Sequence, residues 1–313
     1  MLRVCPEKGF EAFPFGPVLR HEYAYEELTF VPGLLRQFRP QAYDVTVTCS
    51  YPFTNWVLRR PVFRGLRPPH IYVTENGDWP AAARNSEYRF FGCEGLVCTN
   101  PEFYERNKIR WRARFIPNGV DCDRFFPGEA RRSDFCLPQD RLIVLMVSAL
   151  VASKRIATGI EAVSRIPEAH LVVAGDGPLR QEIEASAKRL LPGRFTRLSV
   201  SPAMMPSLYR SADVFLHLSK DEPSSLAFLE ALASGLPLVA HDLPQLRYIV
   251  GHEEFLVDTE DIELVANQIA RARDTSTITT QKRSMLAQAF SWQKIAAQYR
   301  CFFQEILNST SGR

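Results

Sequence analysis

Two carboxylates, Glu222 and Glu230, stand on either side of the seven residues Pro223-Ser224-Ser225-Leu226-Ala227-Phe228-Leu229. Hydroxyl side chains precede an apolar run, and Gly235 and Pro237 follow it, so the segment reads as a short helix with Ser224 as N-cap and Gly235 just past its end. The N–H groups of Ser225, Leu226 and Ala227 would then lack intrahelical partners and form an anion site suited to a pyrophosphate. Glu230 sits among Phe228, Leu229, Ala231, Leu232 and Ala233, where most surface must be buried and a carboxylate requires a partner. Helical side chains lean toward the helix N-terminus, which aims Glu230 at the anion site, where ribose hydroxyls would satisfy it. Glu222, ahead of the cap, is placed to hold the other end of the same ligand. The alternative makes Glu222 a solvated loop acid and Glu230 a core acid paired with an arginine.

The elements around this segment alternate between strand and helix periods. Strands are expected at 142–150, 170–174, 214–218 and 238–240, and helices at 156–165, 179–190 and 225–234, a pattern of parallel βαβ units and at least half of a doubly wound sheet. Lys154 follows the first of these strands, at the carboxyl edge where such sheets bind ligands, and would meet a diphosphate as a point charge. A solvated lysine is the competing reading, and Arg155 either assists or pairs elsewhere. Gly175 and Gly177 turn the chain after 170–174 and allow close approach of a ligand; Gly-Asp-Gly without a third glycine is a weak phosphate signal. Before residue 121 the pattern is less regular, with strands expected at 45–48, 71–74, 95–99 and 114–116. Ile116-Pro117-Asn118-Gly119-Val120-Asp121 reads as a turn-rich linker, and 291–307 as an amphipathic helix.

The pair of glutamates separated by seven residues, continued by Glu230-Ala231-Leu232-Ala233-Ser234-Gly235-Leu236-Pro237, resembles the motif of the retaining glycosyltransferases of the GT-B fold (glycosyl transferases group 1, family-4-like). Residues 116–121 are similar to that family's linker, 147–155 to its phosphate loop and 174–178 to its next turn. The resemblance implies an α/β protein of two Rossmann-like domains: 1–120 on the acceptor side, with 291–307 packing back on it, and 121–290 binding the nucleotide sugar. It assigns Glu222 to the donor sugar hydroxyls and Glu230 to the ribose, Lys154 to catalysis beside Glu222, and donor contacts to Ser225, Leu226, Ala227, Ser148, Arg155 and Gly175. Two departures stand out: Ala149 where the family often has arginine, and Ser225 where it tends to have glycine. The donor, a UDP-sugar by preference, is a substrate, and no cofactor is expected. No metal is expected either, because no Asp-x-Asp pair is placed to hold one on the diphosphate.

On the acceptor side, Thr74-Glu75-Asn76-Gly77-Asp78 enters a polar turn where many relatives carry a histidine. Glu75, Asn76 and Asp78 are the candidates to orient an acceptor, against the alternative that they only make an Asx-type turn; His70 reads as surface or core. The opening strand and Gly-Gly loop usual in the family are not found before Tyr43, so this domain reads as shortened. Arg59, Arg60, Arg64 and Arg67, and again Lys108, Arg110, Arg112 and Arg114, lie among apolar residues. Both groups suit an anionic membrane surface or a solvated arginine face.

A formal net charge of +3 over 313 residues is too small to argue for nucleic acid. Seven cysteines without a C-x-x-C pair suit a reducing compartment and give no zinc site. No apolar run is long enough to span a bilayer, and the protein is read as cytoplasmic, with peripheral contact at the inner face of a membrane as an open reading. The expected activity is hexosyl transfer from a nucleotide diphosphate sugar to a glycan or lipid-linked hydroxyl, in polysaccharide or glycolipid synthesis. A sugar-nucleotide epimerase on the same fold and a catalytically silent nucleotide-binding subunit are the rivals.

Overall fold

Strands that are apolar on both faces belong inside parallel sheets covered by crossover helices, and the chain builds two such sheets. The computed structural model describes residues 22–49, 53–59, 67–78, 91–220, 225–251, 254–274 and 279–310. The chain divides into two compact units, one of residues 1–117 with 297–313, the other of residues 118–296.

The first unit contains α1 (Glu22–Gln37), β1 (Thr46–Thr48), α2 (Phe53–Leu58), β2 (His70–Val73), β3 (Gly95–Cys98), α3 (Pro101–Asn107) and β4 (Ala113–Phe115). Its four strands are parallel and stand in sequence order. Asn100 caps α3, accepting from the Phe103 N–H at 2.9 Å.

The second unit contains β5 (Leu142–Val147), α4 (Ile156–Ser164), β6 (Ala169–Ala174), α5 (Arg180–Leu190), β7 (Phe195–Leu198), α6 (Met205–Arg210), β8 (Val214–His217), α7 (Leu226–Ala233), β9 (Leu238–His241), α8 (Pro244–Val250), β10 (Phe255–Val257), α9 (Ile262–Asp274) and α10 (Thr280–Ala287). Its sheet runs β10-β9-β8-β5-β6-β7, all parallel, which is the doubly wound order. Alternate residues of β5 serve opposite faces. Val144 and Met146 pack with Ile160 of α4, Ile183 of α5 and Ile269 of α9. Ile143 and Leu145 pack on the other side with Phe228 and Leu232 of α7.

The last helix, α11 (Trp292–Thr310), crosses the boundary between the units at Ala296 and Ala297. Within the first unit Phe302 and Ile306 press on Gly95, where an added Cβ would stand 3.0 Å from both. Arg114 there pairs with Glu305 at 2.7 Å, and Arg112 donates to the Ser309 hydroxyl.

Two expectations need correction. The strand expected over 142–150 stops at Val147, because Ser148 N–H donates to Ala174 and Leu150 N–H to Asp176, which turns the chain toward the loop after β6. The helix expected from Ser225 with Ser224 as its cap begins instead at Leu226, and Ser225 is the N-cap, its hydroxyl accepting from Phe228 N–H at 3.2 Å. No described helix is long and apolar enough to cross a membrane.

Candidate functional site

The strand order of the second sheet reverses between β5 and β8, and the crevice outside the carboxyl ends of those two strands is where doubly wound sheets accept ligands. After β5 the loop carries Ser148, then a tight turn at Ala152–Lys154, then Arg155. After β8 the chain runs through Ser219 and Lys220, and Ser225 caps α7. Asp221, Glu222, Pro223 and Ser224 lie outside the described residues, so the position of Glu222 rests on its place in the sequence between Lys220 and the α7 cap.

With Ser225 as cap, the donors at this helix end are the N–H groups of Leu226 and Ala227, since the Phe228 N–H is taken by the Ser225 hydroxyl. Glu230 lies one turn into α7, partly buried. Its Oε2 accepts from the Tyr209 hydroxyl at 2.7 Å, so the partner that the apolar helix required is a tyrosine rather than an arginine. Burial raises the Glu230 carboxyl above its usual range, while the Tyr209 hydroxyl and the charge of Arg124 pull it back down. Arg124 itself donates to the Pro202 carbonyl.

The loop after β5 is fastened on two sides. On one side, Gly175 approaches Ser148 so closely that an added Cβ would lie 1.9 Å from the Ser148 carbonyl oxygen, and Gly177 approaches Leu150 in the same way. These glycines therefore serve contact between two stretches of backbone. On the other side, Arg155 adopts the left-handed conformation at φ 54°. Its guanidinium donates to the Thr259 hydroxyl and carbonyl at 2.5 and 3.1 Å and pairs with Glu260 at 3.2 Å. Glu260 also pairs with Lys220, and the Ser219 hydroxyl donates to the Ser153 carbonyl. His241, at the end of β9, bonds Thr259 at 3.1 Å and is held below its ordinary pKa, chiefly by burial and then by Lys220. Arg155 thus ties the loops after β5 and β10 together. Lys154, beside it, closes the turn after β5, and the buried Ser148 hydroxyl makes no hydrogen bond among the described residues.

Sequence reading did not find Tyr209, Thr259, Glu260 or His241. Each meets its partner across at least 18 residues of sequence, where no local period operates. The one available signal was Tyr209 itself, because a buried phenol needs a hydrogen-bond partner.

In the first unit, Glu75 and Asn76 form a short 3-10 turn after β2. Asp78 is engaged with α3, accepting from Asn107 at 2.6 Å and pairing with Arg106 at 3.2 Å, with its side chain 7% exposed. His70 is fully buried, bonds Thr46 at 3.0 Å, and is lowered by burial to a pKa of about 4. Of the basic residues, Arg112 and Arg114 are held by α11, and Lys108 pairs with Glu105. Arg67 lies over the Phe38 ring. Arg60 and Arg64 lie outside the described residues.

A cavity of about 690 Å³ between α4 and α5 shares Val151, Ala152 and Arg155 with the β5 loop, but neither Glu230 nor the start of α7 lines it. Strand order and helix ends therefore locate the candidate site, not cavity size.

Residues 129–289, just over half of the chain, match the family described as Glycosyl transferases group 1. The chain is 27% identical over 179 residues to the alpha-monoglucosyldiacylglycerol synthase of Streptococcus pneumoniae, a stretch that covers 52% of this chain and 40% of that protein. It spans about half the length of the curated relatives it matches. Sucrose-phosphate synthase from Thermosynechococcus elongatus has a similar structure, with a TM-score of 0.79 over 96% of this chain and 82% of that one at 24% identity. Anabaena HepE, solved with UDP-glucose, is similar at a TM-score of 0.62 over 79% of this chain and 73% of that one at 19% identity. These likenesses show a GT-B fold.

Proposed function

The chain belongs to the glycosyl transferases group 1 family, and from that premise we propose that it transfers a hexose from a nucleotide diphosphate sugar to a glycan or lipid-linked hydroxyl, with retention at the anomeric carbon. What supports this reading is that the loop carrying Lys154 follows the carboxyl end of β5, and that α7, with Glu230 one turn inside it, follows the carboxyl end of the adjacent strand β8. The N–H groups of Leu226 and Ala227 and the Lys154 ammonium supply positive potential for a departing diphosphate. Glu230 receives the ribose hydroxyls, and Glu222 holds the sugar being transferred. Catalysis in this account is positioning and electrostatic stabilisation, and the helix end takes the place of a metal on the diphosphate. A UDP-sugar is the favoured donor; HepE, solved with UDP-glucose, supports that choice.

A lipid-linked acceptor is supported by the name of the pneumococcal relative, a glycosyldiacylglycerol synthase. Peripheral contact with an anionic membrane is supported by the turn after α3, where Ile109 is 93% exposed between Lys108 and Arg110. Sedimentation with vesicles rich in anionic lipid, for the intact chain and Ile109→Ser, tests that contact.

Incubation with UDP-, GDP- and ADP-sugars and a panel of acceptors tests the activity. Acceptor-dependent nucleotide release with an axial-to-axial or equatorial-to-equatorial product supports it. An isomerised donor would instead identify an epimerase, and binding without turnover a silent subunit.

A further inference from the structure

Tyr209 has no role in the account so far beyond being the partner of Glu230. It lies in α6, fully buried, its ring set edge-on to Phe125 at 5.7 Å and tilted against Phe215 at 5.9 Å. Aromatic packing on two sides holds the ring, and its hydroxyl donates to Glu230 Oε2 at 2.7 Å, a short hydrogen bond of the charge-assisted kind. The terminal torsion of a glutamate is broad and roughly two-fold. A carboxylate held only by its stem would therefore present its oxygens to a ligand over a range of orientations.

We infer that Tyr209 is a positioning residue for nucleotide recognition: by holding Oε2 of Glu230 it orients the carboxylate plane and leaves Oε1 to accept from the ribose hydroxyls. This rests on the proposed reading of Glu230 as the ribose ligand. Burial, reinforced by the Glu230 charge, raises the Tyr209 hydroxyl well above its ordinary pKa, so it stays protonated and donates. A neutral donor suits this task. An arginine at the same place would compete with the ribose for both oxygens through its fork of N–H groups, whereas a phenol has one hydrogen to give and occupies one oxygen.

The test measures the affinity of the full chain for UDP and for its 2′-deoxy and 3′-deoxy analogues, in the natural sequence, Tyr209→Phe, Glu230→Gln and the double variant. A hydrogen bond to a charged group implies a preference of about tenfold or more for UDP over at least one analogue in the natural sequence. Tyr209→Phe keeps the ring between Phe125 and Phe215, so its melting temperature reports whether packing survives. The expected result is that Tyr209→Phe reduces the ribose preference about threefold or more, and that adding it to Glu230→Gln changes the preference no further. An unchanged preference in Tyr209→Phe, with Glu230→Gln losing it, overturns the positioning role and leaves the ribose assignment standing. An unchanged preference in Glu230→Gln overturns the ribose assignment and the inference with it.

Discussion

A Cβ on Gly175 would stand 1.9 Å from the carbonyl oxygen of Ser148. The loops after β5 and β6 are in backbone contact at this point, and hydrogen bonds from Ser148 N–H to Ala174 and from Leu150 N–H to Asp176 hold them together. Gly175→Ala must push them apart. It should cost about 3 kcal/mol of stability, at the upper end for overpacking, and weaken nucleotide binding by moving the loop that carries Lys154. Chemical denaturation and calorimetric titration measure the two effects; an alanine variant of unchanged stability would contradict the close approach.

Arg155 combines a backbone conformation that costs a non-glycine residue about 1 kcal/mol with a guanidinium bound to Thr259 and Glu260. Arg155→Gly relieves the backbone and loses the tie, whereas Arg155→Ala loses the tie and keeps the strain. The alanine variant should therefore be the less stable of the two by about 1 kcal/mol. Equal stabilities, or the reverse order, would show that the left-handed conformation is not kept.

Arg283 and Glu254 form an ion pair with side-chain exposures of 2% and 0%, and Glu254 Oε2 also accepts from the Leu238 N–H at 3.0 Å. Breaking the pair by Arg283→Met strands a buried carboxylate, and a loss of about 3–5 kcal/mol is expected. A loss below about 1 kcal/mol, within the range of surface pairs, would mean that water reaches the site.

His70 is neutral in the folded protein, its pKa lowered to about 4 by burial, against about 6.5 in an unfolded chain. The unfolded state binds the proton first as the pH falls. The stability that His70 confers is thus fully present above about pH 6.5 and is lost progressively toward pH 4. His70→Asn should flatten the dependence of stability on pH in this window. An identical slope in the variant would assign the dependence to other groups.

Much of the second unit was legible in the sequence because its signals are local. The apolar runs of β5 and β6 and the stop at Gly235 and Pro237 mark elements within ten residues or so. The α7 cap was off by one position: Ser224 and Ser225 are chemically equivalent as caps, and only the bond from Phe228 N–H to Ser225 separates them. The strand β7, Phe-Thr-Arg-Leu, was not read, since Thr196 and Arg197 break the apolar run and are satisfied instead by His170 and Glu184. The latch around Thr259 and the Tyr209 contact are tertiary, and no spacing in the chain announces either one. Asp78 drew attention as a polar residue after a strand, but its charge is engaged by Arg106 and its second oxygen by Asn107.

The proposed function requires that the crevice between the carboxyl ends of β5 and β8 hold a nucleoside diphosphate. Hydrogen–deuterium exchange of the full chain, with and without saturating UDP, GDP or ADP, tests it most directly. The best-bound nucleotide is expected to slow exchange in 148–155 and at the start of α7, around 225–230. Binding accompanied by protection elsewhere, with both of these segments unchanged, would contradict it.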